Sequence, residues 1–453
     1  MPGPPPGMEA DTVARPFWLT RLLVRSGVAR FLPSARRLTD GHPHAVRYFS
    51  DKVLAAPAEE LLDPAYVPDP VPPDVLDLNL PAPRTDSPVG PGRPTPDRRG
   101  TPPPWGTPDL KNALADHYVR RDGRDVDPER ELFVTHGATA AYAAALDAFV
   151  NPGDRVVLFD PCSPLFDLGA KSRRARVRRV PTWNDDGRCR FLERDFERAV
   201  RGAKLLVLAD PANPTGACFS PEDLEFLLWI AAGSDVLVYA DESFGRFRYD
   251  GRGKSLGALP GAEKRVLTAG SVTPGWGLGS VRVGWLAGPR PMVRACALTA
   301  SLSAPYVPTV CQQAAARAVA DADTDFAPTL ARFADRRRYV IDRLRGMGLE
   351  PEWPAGGYFV WVPVGGLGLD GRAFAERLLR ESRVLVGPGC AFGPSGVGHV
   401  RLSFAADDGR LREGLARLAA FVAALRNPGA APPEPPAPPA DAAELGQPAF
   451  SRV

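Results

Sequence analysis

Lysine is scarce in this sequence. Only six lysines occur among 453 residues, and arginine supplies most of the 56 basic side chains. The six are Lys52, Lys111, Lys171, Lys204, Lys254 and Lys264. Chemistry that depends on a lysine amine therefore has few candidates. Acidic residues nearly balance the basic ones and leave a formal net charge of +3, so the composition predicts neither a nucleic-acid partner nor a membrane-surface partner.

Cysteine, histidine and long apolar runs are also sparse. The six cysteines are scattered without a CxxC pair, which favours reduced thiols in a cytoplasmic protein. Among the five histidines only His42 and His44 are close together, and a solvated loop explains them better than a metal site, so no metal is expected. The first residues lack the pattern of a signal peptide. No apolar run approaches the roughly 18 residues of a membrane span.

Proline, by contrast, is abundant, with 51 residues, and both ends of the chain are rich in it. We expect residues 1–104 to form an N-terminal arm and extended segment, and 427–453 a flexible tail. The hydrophobic content of 44% is typical of a globular protein. We expect it to be divided between a large α/β domain at 105–310 and a smaller C-terminal α+β domain at 311–426.

Apolar runs alternate with helical patterns in the larger of these regions. Four runs have the character of buried parallel strands: Glu131–Thr135, Arg155–Phe159, Lys204–Ala209 and Asp235–Tyr239. Helices are predicted at Ala138–Val150, from Thr107 to a stop at Gly123, and from the capping-box pattern that begins at Ser220. This alternation predicts a mainly parallel sheet sandwiched by helices.

Ligands of open parallel sheets bind at the carboxyl ends of the strands, so these ends supply the candidate residues. The segment Thr135–Thr139 (THGAT) leads from a strand through glycine into a helix, whose free N–H groups can bind an anion; a plain turn is the alternative. In Asp210–Gly216 (DPANPTG), two prolines fix the backbone around Asn213, and a rigid turn is again the alternative.

Three further segments carry charge or hydroxyl groups. Asp241 follows a buried strand, where a carboxylate is costly unless a ligand or an internal arginine compensates its charge. The segment Ser271–Gly284 (SVTPGWGLGSVRVG) offers hydroxyls and Arg282, which suit a phosphate. Arg401 lies within an apolar strand and is either paired internally or binds a carboxylate.

In this order and spacing the segments resemble the class I/II aminotransferases of the pyridoxal-phosphate (PLP) fold type I. The resemblance covers roughly residues 105–425 and is carried by four collinear motifs: NPGD, PANPTG, Asp-Glu-x-aromatic and Ser-x-Thr-x₈-Arg-x-Gly. It implies that the backbone N–H groups of Ala138 and Thr139 bind the cofactor phosphate, with Ser271 and Arg282 closing on it.

The resemblance also implies how the ring and the substrate are held. Asn213 would bond the phenolic O3′ of the ring, and Asp241 would pair with the pyridine nitrogen and keep it protonated. Arg401 would bind the α-carboxylate of an amino acid or 2-oxo acid. The family's sites form across a dimer interface, so a homodimer is expected.

The sequence departs from the family pattern at four positions. The family places its Schiff-base lysine eight residues before the phosphate arginine, and here that position is Pro274. Ser163 stands where an aromatic residue usually stacks on the ring, and Phe244 where a tyrosine hydroxyl usually joins the asparagine at O3′. By a loose alignment, Thr101 replaces a tyrosine that reaches the neighbouring subunit's phosphate.

Another lysine is a poor substitute for the missing one. Lys254 is predicted on a hairpin and Lys264 before a strand, so neither lies at a carboxyl end. The basic run Lys171–Arg179 is interpreted as a solvated helix end and edge strand rather than a nucleic-acid patch.

Three functions stay open at this point. The first is amino-group-transfer chemistry with PLP or pyridoxamine phosphate (PMP) bound without a covalent link. Removal of a positioned base costs about 10²–10⁴ in rate, so ordinary transamination should be slow or absent. The second is a catalytically silent protein that binds PLP, PMP or the aldimine of PLP with an amino acid. The third is a structural partner of an active relative.

Overall fold

The computed structural model describes residues 74–79, 102–251, 253–321 and 326–427. The strands are β1 Leu76–Asp77, β2 Leu132–Thr135, β3 Arg155–Asp160, β4 Arg176–Asp185, β5 Arg188–Phe191, β6 Leu205–Ala209, β7 Leu237–Asp241, β8 Val266–Ser271, β9 Gly284–Ala287, β10 Phe359–Pro363, β11 Val384–Leu385, β12 Gly387–Pro388 and β13 His399–Ser403.

The helices are α1 Pro108–Asp122, α2 Gly137–Phe149, α3 Pro164–Ser172, α4 Glu193–Val200, α5 Pro221–Gly233, α6 Val272–Gly275, α7 Arg290–Ser301, α8 Thr309–Asp321, α9 Phe326–Gly346, α10 Gly371–Ser382 and α11 Asp408–Arg426. Short 3₁₀ turns complete the ordered elements. Within the described ranges, none of the helices is both long and apolar enough to cross a membrane.

Local chemistry accounts for the helix ends that the sequence predicts. Ser220 and Asp223 bond each other's backbone N–H reciprocally at the start of α5, which is the predicted capping box. Gly123 ends α1 in the left-handed conformation, with φ of 70°, which favours glycine. Thr107 precedes α1 as predicted, but its side chain makes no capping hydrogen bond.

The large sheet has eight strands in the order β2-β9-β8-β7-β6-β3-β4-β5. The neighbours from β8 to β4 are parallel, which confirms the α/β prediction. The prediction that the strand at Glu131–Thr135 has a parallel neighbour is wrong. Among the described residues it pairs with β9 alone. β9 runs antiparallel to both β2 and β8, because the connection through the short α6 turns the chain back beside β8.

Alternate residues of the central strands enter different cores. Val157 and Leu206 join one apolar cluster, whereas Leu158 and Val207 join another. This two-residue period means that both faces of the sheet are covered, as a parallel sheet requires.

The strand predicted at Asp235–Tyr239 begins two residues later than expected. Asp235 has φ of 52° and belongs to the turn after α5, so the strand occupies Leu237–Asp241. Asp241 is therefore the last residue of β7 rather than part of the loop beyond it. In the basic run, α3 ends at Ser172 and β4 begins at Arg176. Because β5 pairs with Thr182–Asp185, the first half of β4 is an edge of the sheet in the part of the chain that the structure describes.

The C-terminal part has its own antiparallel sheet, β10-β13-β12. Its core includes residues of α9, α10 and α11, and also Leu76 and Leu78 from the N-terminal segment. β1 pairs in parallel with β11, and Ser403 donates its backbone N–H to Leu78 at 2.7 Å. The N-terminal segment is thereby fixed beside β13. The predicted boundary at residue 311 stays a prediction; α8, which spans it, packs against α1.

Candidate functional site

Three adjacent strands bring the candidate residues together. In the registers of β6, β7 and β8, Asp241 pairs with Ala209 on one side and Ala269 on the other. The chain then leaves β6 toward Asn213 and ends β8 at Ser271. The carboxyl ends of parallel strands share one edge of the sheet, so these side chains converge there.

The start of α2 forms the anion-binding part of this edge. The first N–H groups of a helix have no partner inside the helix, and His136 supplies no side-chain cap. A Cβ placed on Gly137 would lie 2.9 Å from Nη2 of Arg282, so the guanidinium stands directly over the helix start. Ala138 and Thr139 follow in the first turn, where the dipole also favours an anion.

The hydroxyls beside Arg282 are already engaged with the protein. Ser271 donates from Oγ to the carbonyl oxygen of Val283 at 3.2 Å and accepts from the N–H of Thr273 at 3.2 Å. Arg282 donates from Nη1 to Oγ1 of Thr273 at 3.1 Å. Thr273 belongs to a motif that the sequence analysis noted, but its contact with Arg282 was missed.

Asp241 is an acid without a cationic partner. Its Oδ1 accepts the N–H of Ser243 at 2.9 Å, and no ion pair reaches it from the part of the chain that the structure describes. Two nearby acids differ: Asp210 meets Arg248 at 2.7 Å and Glu242 meets Arg121 at 2.6 Å. Burial raises the pKa of Asp241, because no arginine offsets the loss of water.

Arg401 is the complementary case, a buried cation whose hydrogen-bond partners among the described residues are neutral. It is 8% exposed, and its guanidinium lies 4.2 Å from the ring centre of Phe359 and 4.8 Å from that of Phe392. Nη1 donates to Oδ1 of Asn213 at 2.9 Å, and Nη2 donates to Oδ1 of Asn79 at 2.5 Å. Two predicted residues, Asn213 and Arg401, are thus in direct contact.

The polar partners of Arg401 are neutral, and one of its donors is unused. Its Nε is buried and lacks a hydrogen-bond acceptor in the structure. Burial lowers the pKa of Arg401 to about 10, and the charge interactions with Tyr358 and Asp77 offset only part of this shift. Asn79 was not among the predicted residues. It stands in the alternating segment VLDLNL of residues 75–80, and this pattern does not indicate a partner 322 residues away.

A family model, "Aminotransferase class I and II", matches residues 93–418. The chain belongs to this family. The aspartate/prephenate aminotransferase of Thermus thermophilus is 32% identical over 320 residues, which cover 70% of this chain and 82% of that protein. The arginine–pyruvate transaminase AruH of Pseudomonas aeruginosa is also 32% identical over 320 residues, covering 70% and 80%.

Solved structures support the same assignment. The aromatic aminotransferase of Pyrococcus horikoshii superposes with a TM-score of 0.72 at 27% identity, covering 78% of this chain and 97% of that one. Aminotransferases of this family use PLP or PMP and act on amino and keto acids. The fold and the cofactor class that the sequence predicts are therefore confirmed, whereas the individual site residues stay predictions.

The structure describes three of the four residues at which the sequence is predicted to depart from the aminotransferase pattern. Pro274 is buried in α6, directly after β8. Ser163 precedes α3, and its side chain makes no cap. The ring of Phe244 packs edge-on against Tyr358 and Phe359, at 5.3 and 5.4 Å between centroids. Thr101 lies outside the described residues.

The lysines that the structure describes lie away from this edge of the sheet. Lys204 and Lys264 come just before β6 and β8, at the opposite ends of these strands. Lys111 is buried against Glu129 at 3.0 Å. Lys254 is exposed in a loop, and the predicted hairpin is absent from the described residues there, which form bends and 3₁₀ turns. The described residues also contain no cluster of three or more His, Cys, Asp or Glu side chains suited to a metal.

Close packing at the start of α2 gives a first testable prediction. In Gly284→Ala, the new Cβ would lie 2.5 Å from the carbonyl carbon of Gly137 and 2.7 Å from the nitrogen of Ala138. We expect a loss of about 1–3 kcal/mol in the free energy of unfolding, measured with urea, because backbone atoms cannot yield. Gly233→Ala is the control, since nothing lies within 4 Å of that position. Equal losses in the two variants would contradict the close-packing argument.

Proposed function

We propose that this chain binds PLP or PMP without a covalent link, together with an amino acid or 2-oxo acid. The observation that carries the proposal is a pair of uncompensated charges. Arg401 is a buried cation with neutral polar partners, and Asp241 is an acid with no cation among the described residues. A ligand with a carboxylate and a protonated ring nitrogen supplies both missing charges.

The arrangement of donors supports the same ligand. A phosphate is the natural anion for a helix start with an arginine over it, as at Gly137 and Arg282. Ala138 and Thr139 would hold it through their N–H groups, with Arg282 and the hydroxyl of Ser271 beside them. Asn213 would meet the ring oxygen, and its contact with Arg401 would join the ring and carboxylate subsites.

The roles of these residues are electrostatic and positional. The cofactor, when bound, supplies an electron-withdrawing ring for chemistry at the substrate Cα. Asp241 would hold a proton on the ring nitrogen. Burial raises the pKa of this carboxyl group, and the protonated ring nitrogen would be the nearby cation that stabilises its ionised form. Arg401 would fix the carboxylate and thereby the direction of the Cα–H bond.

The weak point of the site is proton transfer. Pro274 has no side-chain nitrogen, and no described lysine lies at the carboxyl ends of β6 to β8. Without a positioned base, amino-group transfer should be slower by about 10²–10⁴. This favours a second candidate function, a catalytically silent protein that binds the same ligands. The two are separated by single-turnover assays with PMP and a 2-oxo acid.

We also infer a cytoplasmic location. All six cysteines are free, and four of them are buried. Such thiols are typical of a reducing compartment.

Binding is tested with Arg282→Ala. Loss of the guanidinium should weaken PMP binding by about 1.5–3 kcal/mol in calorimetry, the usual worth of a hydrogen bond to a charged group. Arg290→Ala is the control, because Arg290 is exposed on α7. If the wild-type protein binds neither PLP nor PMP, the proposed function is wrong.

The position of the missing lysine is tested with Pro274→Lys. A lysine at the end of β8 should trap PLP covalently on borohydride reduction, with the label on residue 274 by mass spectrometry. Wild type should stay unlabelled. Activity need not return, because Ser163 offers no stacking face, which is worth about 0.5–1.5 kcal/mol. Label on Lys254 or Lys264 in wild type would show that a relocated lysine serves the ordinary reaction.

A homodimer is the proposed assembly. Four exposed hydrophobic residues succeed one another from α7 into α8: Leu298, Leu302, Tyr306 and Val310. Apolar groups this exposed are often covered by a partner, and Leu302 is 85% exposed. Light scattering at micromolar concentration should give twice the 48.6 kDa of one chain. Leu302→Glu should shift the mass toward one chain, whereas Trp229→Glu, at an exposed position of α5, should not. A monomeric wild type would contradict this assembly.

A further inference from the structure

Asn79 makes the shortest polar contact of Arg401. Its Oδ1 lies 2.5 Å from Nη2 of the guanidinium, and its carbonyl oxygen lies 3.4 Å from the same nitrogen. Asn213 holds Nη1 at 2.9 Å. The two amide oxygens therefore accept hydrogen bonds from the two terminal nitrogens of the guanidinium, and the buried Nε has no acceptor in the structure.

The fold provides a specific place for this amide. Leu78 is bonded on both sides, to Leu385 through its N–H at 2.9 Å and to Ser403 through its carbonyl at 2.7 Å. Asn79, the next residue, therefore lies beside β13. Gly387 stands directly opposite Arg401 in the sheet, and a Cβ there would lie 2.8 Å from Oδ1 of Asn79. The missing side chain at Gly387 is what leaves room for the amide.

A neutral amide has an effect here that a carboxylate would not have. Two partly buried arginines, Arg248 and Arg121, are each paired with an acid that compensates their charge. Asparagine accepts a hydrogen bond from Arg401 and so orients it, yet it adds no negative charge of its own. An aspartate of the same shape would form an internal ion pair.

We propose that Asn79 is a positioning residue, which orients Arg401 and keeps its charge available for one ligand carboxylate. The inference rests on the proposed function of this site, because it assigns Asn79 to the carboxylate subsite of the ligand.

The test compares two stable ligands that differ by one carboxylate. N-(5′-phosphopyridoxyl)-L-alanine carries the carboxylate, and N-(5′-phosphopyridoxyl)ethylamine lacks it. The ratio of their dissociation constants, from calorimetry on the full-length protein, reports the carboxylate subsite alone. In wild type we expect a preference of about 10- to 100-fold for the alanine compound, the worth of a charge-assisted hydrogen bond.

Asn79→Asp should reduce this preference to less than about threefold, because the internal carboxylate competes for Arg401. Its affinity for the ethylamine compound should stay close to that of wild type. Asn112→Asp introduces the same charge at an exposed position of α1 and should keep the preference. An unchanged preference in Asn79→Asp overturns the inference and leaves the proposed function standing. Failure of wild type to bind either compound overturns the proposed function itself.

Gly387→Ala tests the same point without a change of charge. The new Cβ would lie 2.8 Å from Oδ1 of Asn79 and should therefore push this amide away from Arg401. We expect the preference to fall at least threefold, which is about 0.7 kcal/mol by RT ln 3, with the ethylamine compound little affected. A preference equal to that of wild type would contradict a positioning role for Asn79.

Discussion

The buried charge of Arg401 is the constraint on which the arrangement of the candidate site depends. A cation removed from water without an anion is costly. The rings of Phe359 and Phe392 and the amides of Asn79 and Asn213 reduce this cost without cancelling the charge. The part of this free-energy cost that remains destabilises the free protein, and a bound carboxylate would offset it. The group that lowers stability is thus the group that would raise ligand affinity.

Asp241 is the opposite charge in the same site, and the two do not neutralise each other. Asp241 ends β7 in the large sheet, whereas Arg401 belongs to β13 in the C-terminal sheet. Asp210 and Glu242 each have an arginine, so the lack of one at Asp241 is particular to that position. In the proposed function, the charges that would bind the ligand are separate from the amine that would move its proton. A proline at the lysine position would therefore leave the binding charges intact and remove the base.

The sequence predicts the parts of the site that local patterns encode. Alternating apolar runs and helices indicate a parallel sheet, and motifs after the strands indicate Asn213, Asp241 and Arg282. Contacts between remote segments are not encoded in this way. Asn79 meets Arg401 across 322 residues, and the antiparallel β9 depends on a tertiary return of the chain rather than on its own pattern. The two-residue shift of β7 follows from the turn at Asp235, which hydrophobicity alone does not reveal.

The backbone at Pro274 explains how a proline can stand there without disrupting the fold. It is the third residue of α6, in a first turn whose N–H groups have no partner inside the helix. The N–H of Val272 donates to Val283 at 3.1 Å, and that of Thr273 is capped by Ser271. Proline removes a donor that the helix does not use, and its fixed φ suits the turn. The same backbone could therefore carry a lysine, so Pro274→Lys should change the chemistry at the end of β8 and leave the strand, the cap and Arg282 in place.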